Sequence, residues 1–413
     1  MFLYIDPGTG SMLFSILIGV ISTALFLGQR LFMKLKFIIS GGKALKISNS
    51  KIPFVIFSDH KRYWNVFKPI CDEFEKRSVD LVYWTASPDD PILSEKYNHV
   101  KAEFIGEGNK AYARLNMMNA GICLSTTPGL DVYQWKRSKN VDWYVHIVHM
   151  INDPIAYRMF ALDYYDAVLV SGPFQAEQIR TIEEKHNVHK KEITTVGCTY
   201  MDMLFAHERT KNISSQKTIL LAPTWGESGI LSRFGEKIID ALLTTGYEIV
   251  IRPHPQSYTA EKELIENLMN KYSNCKNISW NKDNDNFAIL NKADLMISDY
   301  SGVIFDFAFV FKKPFIYADT SFNSAPYDAA WIDDELWTIK ALPKIGHKLV
   351  ESDFSDIKTI IDNSINSNKV ETERDELIKQ CWCNIGKAGE IATDYLIKKS
   401  NELNNKNAAE KTA

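Results

Sequence analysis

Short apolar runs alternate with amphipathic stretches along most of this chain. PFVIFS at 53–58 is followed by an amphipathic segment from Tyr63 to Lys76, and then by VDLVYWT from Val79. Brief, near-continuous apolar runs separated by helical periodicity are the rhythm of a parallel sheet buried on both faces. The rhythm continues through AEFIG from Ala102, AGICLST from Ala120, WYVHIVHM from Trp143, DAVLVSG from Asp166 and EITTVG from Glu192, which makes seven predicted strands and one Rossmann-like domain over 51–205. The pattern then breaks into the polar stretch HERTKNISSQ, the expected linker. It resumes with TILLAPT, YEIVIRPHP, NISW, ADLMISDYSG and KPFIYAD, a second Rossmann-like domain that, with its C-terminal helices, is expected to fill 206–400. Residues 401–413 read as a frayed tail. The expected fold is α/β, two Rossmann-like domains behind an N-terminal transmembrane helix.

That helix comes from the first 50 residues. No charge occurs from Gly8 to Gln29, and a span at about 11–29 is long enough to cross ~30 Å of hydrocarbon. Positive residues follow it, at Arg30, Lys34, Lys36, Lys43, Lys46 and Lys51, which by the positive-inside rule keeps the rest of the chain cytoplasmic. The only early charge is Asp6, which argues against a secretory leader. The preceding YIDPGTGS has turn chemistry and no assigned role. The expectation is a single-pass protein of the inner or plasma membrane with its catalytic part in the cytoplasm.

At 413 residues, one hydrophobic core is too few, which agrees with two domains. The formal charge of -3 leaves no basic field for nucleic acid. Six scattered cysteines form neither a disulfide framework nor a zinc knuckle, and the Cys381/Cys383 pair lies in a helical region. No HExxH, calcium loop, GxGxxG or Walker sequence occurs, so no metal or cofactor is expected.

Candidate chemistry sits at predicted strand ends. In SDYSGVIFDFAF the strand ends at Ser298 and an apolar helix follows the turn, so unpaired amides, the Ser301 hydroxyl and close backbone approach at Gly302 suit a diphosphate, with Asp306 further along the helix. In IRPHP, prolines on both sides aim His254 beside Arg252, a pair able to neutralise charge on a leaving nucleotide. Thr224 in LAPTWGES lines the same predicted cleft. In the first domain, His146 and His149 are spaced to point to opposite faces of a strand, so one of them is expected to serve as base toward an acceptor hydroxyl.

Taken in order, His149, VGCTYMDML, LAPTW, RPHP and SDYSGVIFDFAFVFKKPFIYAD resemble the CDP-glycerol glycerophosphotransferase family of teichoic acid and capsule enzymes, over about 140 to 320. The resemblance implies a GT-B architecture, a metal-free mechanism and a CDP-linked donor. Carried onto this chain, His254 and Ser301 hold the donor diphosphate, Arg252 and Asp306 frame the site, and His149 is the base. It implies transfer of glycerol phosphate, or a related phospho-alditol, to a lipid-linked or polysaccharide acceptor. The family's usual glycine after the first-domain histidine is Met150 here, and its arginine after the Pro-Thr-aromatic unit is Gly226. These departures leave open a GT-B glycosyltransferase using a UDP- or GDP-sugar, or an inactive scaffold of a polymer-assembly complex.

Overall fold

In the computed structural model, residues 51–207, 216–283, 285–318, 322–332, 334–367 and 371–412 are described. The expected span at about 11–29 lies outside them, as does most of the polar linker. Among the described residues no helix is long and apolar enough to cross a membrane.

Two parallel sheets carry the structure. The first holds β1 (Ile52–Ser58), β2 (Leu81–Thr85), β3 (Val100–Phe104), β4 (Asn119–Ser125), β5 (Asn140–Ile147), β6 (Ala167–Val170) and β7 (Glu192–Thr195), in the order β3-β2-β1-β4-β5-β6-β7. The second holds β8 (Thr218–Leu221), β9 (Glu248–Ile251), β10 (Ile278–Trp280), β11 (Leu295–Ser298), β12 (Phe315–Ala318) and β13 (His347–Leu349), in the order β10-β9-β8-β11-β12-β13. In both sheets the order reverses between the first strand and the fourth, the switch point at which doubly wound proteins bind ligands. Helices cover both faces, and one apolar cluster lies on each side of each sheet.

All twelve expected strands form; β13 was not expected, since HKL has too few apolar residues to register as a run. The C-terminal region also departs from expectation. The helix Ala388–Thr412 packs on the first sheet, with Ala392, Tyr395 and Leu396 against Phe54 and Ile70. Trp143 donates to the Tyr395 hydroxyl at 3.2 Å, and Arg77 pairs with Asp394 at 2.5 Å. Assigning every C-terminal helix to the second domain therefore fails for this one, and 401–412 continue it as helix rather than fraying. The Gln380–Cys383 segment lies so close to Gly172 and Gly197 that a Cβ on either would meet a backbone carbonyl, of Gln380 or of Cys383, at 2.4 Å.

The domains also meet through buried polar contacts. Asp153, after β5, accepts from the Trp337 and Thr338 amides at 2.6 and 3.0 Å and from the Thr338 hydroxyl at 2.5 Å. It thereby caps the second-domain helix Trp337–Ile345, whose own N-cap residue, Leu336, has no side chain for the task. Nearby, His186 sits between Asp163 of the first domain and Asp328 of the second.

Candidate active site

Two strand ends of the second domain, those of β8 and β11, converge on Asp299. This buried carboxylate takes the Thr224 amide on both oxygens, at 3.1 and 2.9 Å, and the Ile230 amide at 3.3 Å. It also accepts from the amides of Tyr300 and Ser301. Burial pushes its pKa up to about 6, and the amides oppose that shift. Asp299 thus ties the turn after β8 to the turn after β11. Thr224, Ser301 and Gly302 are left partly exposed along one wall. Gly226, at φ +90°, lets the first turn fold back, a conformation that β-carbons resist.

His254 follows β9. Its Nδ1 accepts the Gln256 amide at 3.1 Å, which leaves Nε2 for a ligand, and its ring lies 6.5 Å from that of Trp225. Burial, then the Arg62 charge, push its pKa down to about 4, so the imidazole is neutral near pH 7. Arg252 points elsewhere: it donates to Asn281 and feels Tyr200, Asp283 and Asp285. It lies on the β10 side of the wall, away from the Ser301 turn.

Asp306 departs from expectation. It begins a π-helical turn, Asp306–Val310, that extends the short helix Val303–Phe305, and it faces Cys198 and Tyr200 rather than the cleft. Its Oδ1 has no hydrogen-bond partner, and burial raises its pKa well above the ordinary carboxylate value.

In the first domain the two histidines separate: His146 lies within β5 and His149 beyond its end. His146 is fully buried against the Tyr157 and Tyr165 rings, with neither nitrogen hydrogen-bonded. His149 lies beyond the end of β5, its Nδ1 3.1 Å from the Thr126 hydroxyl and its ring 5.0 Å from that of Tyr63. Burial and the Arg62 charge push its pKa down to about 4.

The structure brings the loop after His149 to this second-domain wall. A Cβ on Gly302 would stand 3.0 Å from Met150 Sδ and 3.6 Å from the Ile151 carbonyl, so the loop after His149 rests on the Ser301–Gly302 turn. Arg62 acts on both His149 and His254 and therefore sits near both. Sequence reasoning assigned no role to Asp299, Arg62, Tyr63 or Thr126. All four follow strand carboxyl ends, in ISDY, SDHKRY and LSTTP, and the strand-end rule applied to β1 and β4 would have found three of them.

Two facing Rossmann-like domains, with a neutral histidine on one side and an amide-rich, histidine-bearing wall on the other, make this a GT-B-like α/β fold. Residues 152–328 match the family model described as CDP-Glycerol:Poly(glycerophosphate) glycerophosphotransferase. The match begins just after His149.

The chain is 28% identical over 153 residues to the teichoic acid glycerol-phosphate primase of Bacillus subtilis (strain 168), an alignment covering 33% of this chain and 37% of that one. It thus spans well under half the length of that curated relative. Among solved structures it is similar to the wall teichoic acid polymerase TagF (TM-score 0.57, 17% identity, 94% of this chain and 98% of that one). It is also similar to the UDP-GlcNAc 2-epimerase of Methanocaldococcus jannaschii in complex with UDP-GlcNAc and UDP (TM-score 0.53, 14% identity, 84% and 100%). At these identities the likeness is one of fold.

Proposed function

We propose that the protein transfers glycerol phosphate, or a related phospho-alditol, from a CDP-linked donor to a hydroxyl of a lipid-linked or polysaccharide acceptor. The observation that carries this reading is the meeting of the loop after His149, through Met150 and Ile151, with the Ser301–Gly302 turn, in a chain whose residues 152–328 match the glycerophosphotransferase family model. The TagF variant soaked with CDPG supports the choice of donor by likeness of fold.

In this reading the donor diphosphate lies on the amides and hydroxyl of Ser301 and Gly302, with Thr224 and His254 alongside and Arg252 toward the nucleoside. The acceptor oxygen attacks the phosphorus that carries the alditol and forms a new P–O bond. The anhydride P–O bond breaks, and its electron pair leaves with CMP. His149 Nε2 takes the acceptor proton, with Nδ1 held by Thr126. A depressed pKa keeps His149 unprotonated at neutral pH. The donor's negative charge would offset Arg62 and strengthen both histidines as proton carriers.

The apolar stretch at about 11–29 and the basic residues after it support a single-pass protein of the inner or plasma membrane with this site in the cytoplasm, where nucleotide-linked donors are made. The test is nucleotide release from CDP-, UDP- and GDP-linked donors by detergent-solubilised protein, with His254→Ala as control. CMP release from CDP-glycerol or CDP-ribitol that vanishes in the variant supports the proposal. Release of UDP or GDP alone would replace it with sugar transfer.

A further inference from the structure

The two domains are tied by a clasp that the proposed chemistry does not use. Phe160 donates its amide to Asp328 Oδ1 at 2.8 Å, the Asp328 amide donates to the Tyr157 carbonyl at 3.0 Å, and Arg158 and Tyr327 form an antiparallel bridge. Trp331 adds its ring, with Nε1 3.4 Å from Met159 Sδ. Phe160 sits at φ +66°, a left-handed backbone that a residue with a β-carbon keeps only under constraint, and the bond to Asp328 supplies that constraint.

Three ionisable groups form the centre of the clasp. His186, the last residue of the helix Pro173–His186, places Nδ1 2.9 and 3.1 Å from the two Asp163 oxygens and Nε2 3.5 Å from Asp328 Oδ1. The Phe160 and Trp331 rings lie 4.9 and 5.7 Å from the imidazole, and Ile155, Ile182, Ala329 and Leu336 form an apolar cluster across the same seam. Water is therefore excluded: the His186, Asp163 and Asp328 side chains are 2%, 5% and 0% exposed. Among the described residues, Asp328 Oδ2 has no hydrogen-bond partner.

One imidazole cannot neutralise two carboxylates. With both ionised, even an imidazolium leaves the sealed cluster negative and Oδ2 without a donor, which dry surroundings penalise heavily. A proton on Asp328 removes the excess charge, and burial pushes this carboxyl up to about 7, against the Phe160 amide and the His186 charge. Other charges at the seam do not take that proton's place. Arg180 pairs with Glu183 at 2.6 Å on the His186 helix, Lys191 faces Glu183 and Asp163, and Arg158 is exposed.

We infer that Asp163, His186 and Asp328 make a proton-dependent clasp, which holds the two domains together while the cluster keeps its extra proton and loosens when that proton is lost. Opening hands Asp328 to water, where its carboxyl returns to an ordinary value near 3.9. The closed form then binds one proton more than the open form between about pH 4 and 7, so closure weakens as the pH rises through that window and levels off above it. Tyr157 and Phe160 continue the loop that seats Met150 and Ile151 on Gly302 and Asp153 on Thr338, so the clasp sets how often both walls of the site stand together. It needs no substrate to operate and stands or falls independently of the transferase reading.

Hydrogen exchange on the detergent-solubilised full chain, from pH 5 to 8 and corrected for the intrinsic rate, would follow segments 157–163 and 327–332, with β4 reporting on the core. In the wild type, protection of both segments is expected to fall about tenfold to a hundredfold between pH 5 and 7 and to change little from 7 to 8, with no such fall in β4. Asp328→Asn keeps an acceptor for the Phe160 amide and carries no charge at any pH, so its protection should stay flat. His186→Gln removes the cation that opposes the rise at Asp328, so the fall should continue to higher pH. Flat wild-type protection, an equal fall in Asp328→Asn or an unmoved fall in His186→Gln would each overturn the inference. If Asp328→Asn does not fold, the shift in His186→Gln decides alone.

Discussion

The Thr126 hydroxyl stands 3.1 Å from His149 Nδ1, so a residue of the β4 turn sets which nitrogen of the candidate base faces the cleft. Thr126→Val keeps the shape and removes that hold. The expected outcome is a kcat for CMP release about tenfold to a hundredfold lower, comparable to loss of a group that orients a catalytic base, with donor KM within about twofold. Steady-state kinetics on CDP-glycerol would measure both. An unchanged kcat would reduce the contact to packing.

Asp299 binds four amides from two turns, and its replacement tests whether the donor wall depends on that carboxylate. Asp299→Asn substitutes an amide whose N–H₂ opposes those donors, so the variant should lose about 2–4 kcal/mol of stability and gain at least about tenfold in donor KM. Because the folded pKa is raised to about 6, wild-type donor affinity should fall as the pH drops through 6 and Asp299 takes a proton. The variant should lack that step, which calorimetric donor titrations across pH would reveal.

The apolar rhythm was enough to show both sheets, because parallel strands buried on two faces write themselves as short continuous runs. The same logic placed His254, Ser301 and Thr224, which leave strand ends directly. It failed for Asp306, where helical periodicity alone did not say which face turns to the core, and a π turn rotates that face further. It failed again for Ala388–Thr412, whose weakly patterned sequence does not name the sheet it covers. Asp153 and Thr126 act across turns on partners distant in sequence, and only the folded chain brings those partners together.

His146 presents two unsatisfied ring nitrogens inside the sheet, and burial pushes its pKa down to about 3. In the unfolded chain the group titrates near its ordinary value of about 6.5, so the unfolded state binds the extra proton between pH 6.5 and 3. Its neutral form therefore contributes fully above pH 6.5, and that contribution is lost as the pH falls through this window. His146→Phe removes both orphaned atoms and the titration. The variant should match or exceed the wild type at pH 8 and gain on it progressively below 6.5, by up to about 1.4 kcal/mol per pH unit. Paired denaturant melts at several pH values isolate this residue, since the opposing rise from buried carboxyls such as Asp299 is common to both proteins. A constant difference across pH would sink the argument.

Asp153 caps a helix of the other domain, so its loss should loosen the seam between the domains more than either core. Besides the three donors from Trp337 and Thr338, it accepts from Gln178 Nε2 at 2.6 Å, so four donors lose their acceptor in Asp153→Ala. Loss of a buried cap with charged hydrogen bonds should cost about 2–4 kcal/mol. Hydrogen exchange would locate the damage: faster exchange in Trp337–Ile345 and in the 150–156 loop, with the β1–β4 amides unchanged. The same loop seats Met150 and Ile151 on Gly302, so kcat should fall with the seam even though Asp153 touches no substrate in the proposed mechanism. Thr338→Val, which removes one of the four donors and keeps the carboxylate, should show the same exchange pattern at smaller amplitude. Uniform destabilisation with no local signal would mean that the cap is simply part of one cooperative core.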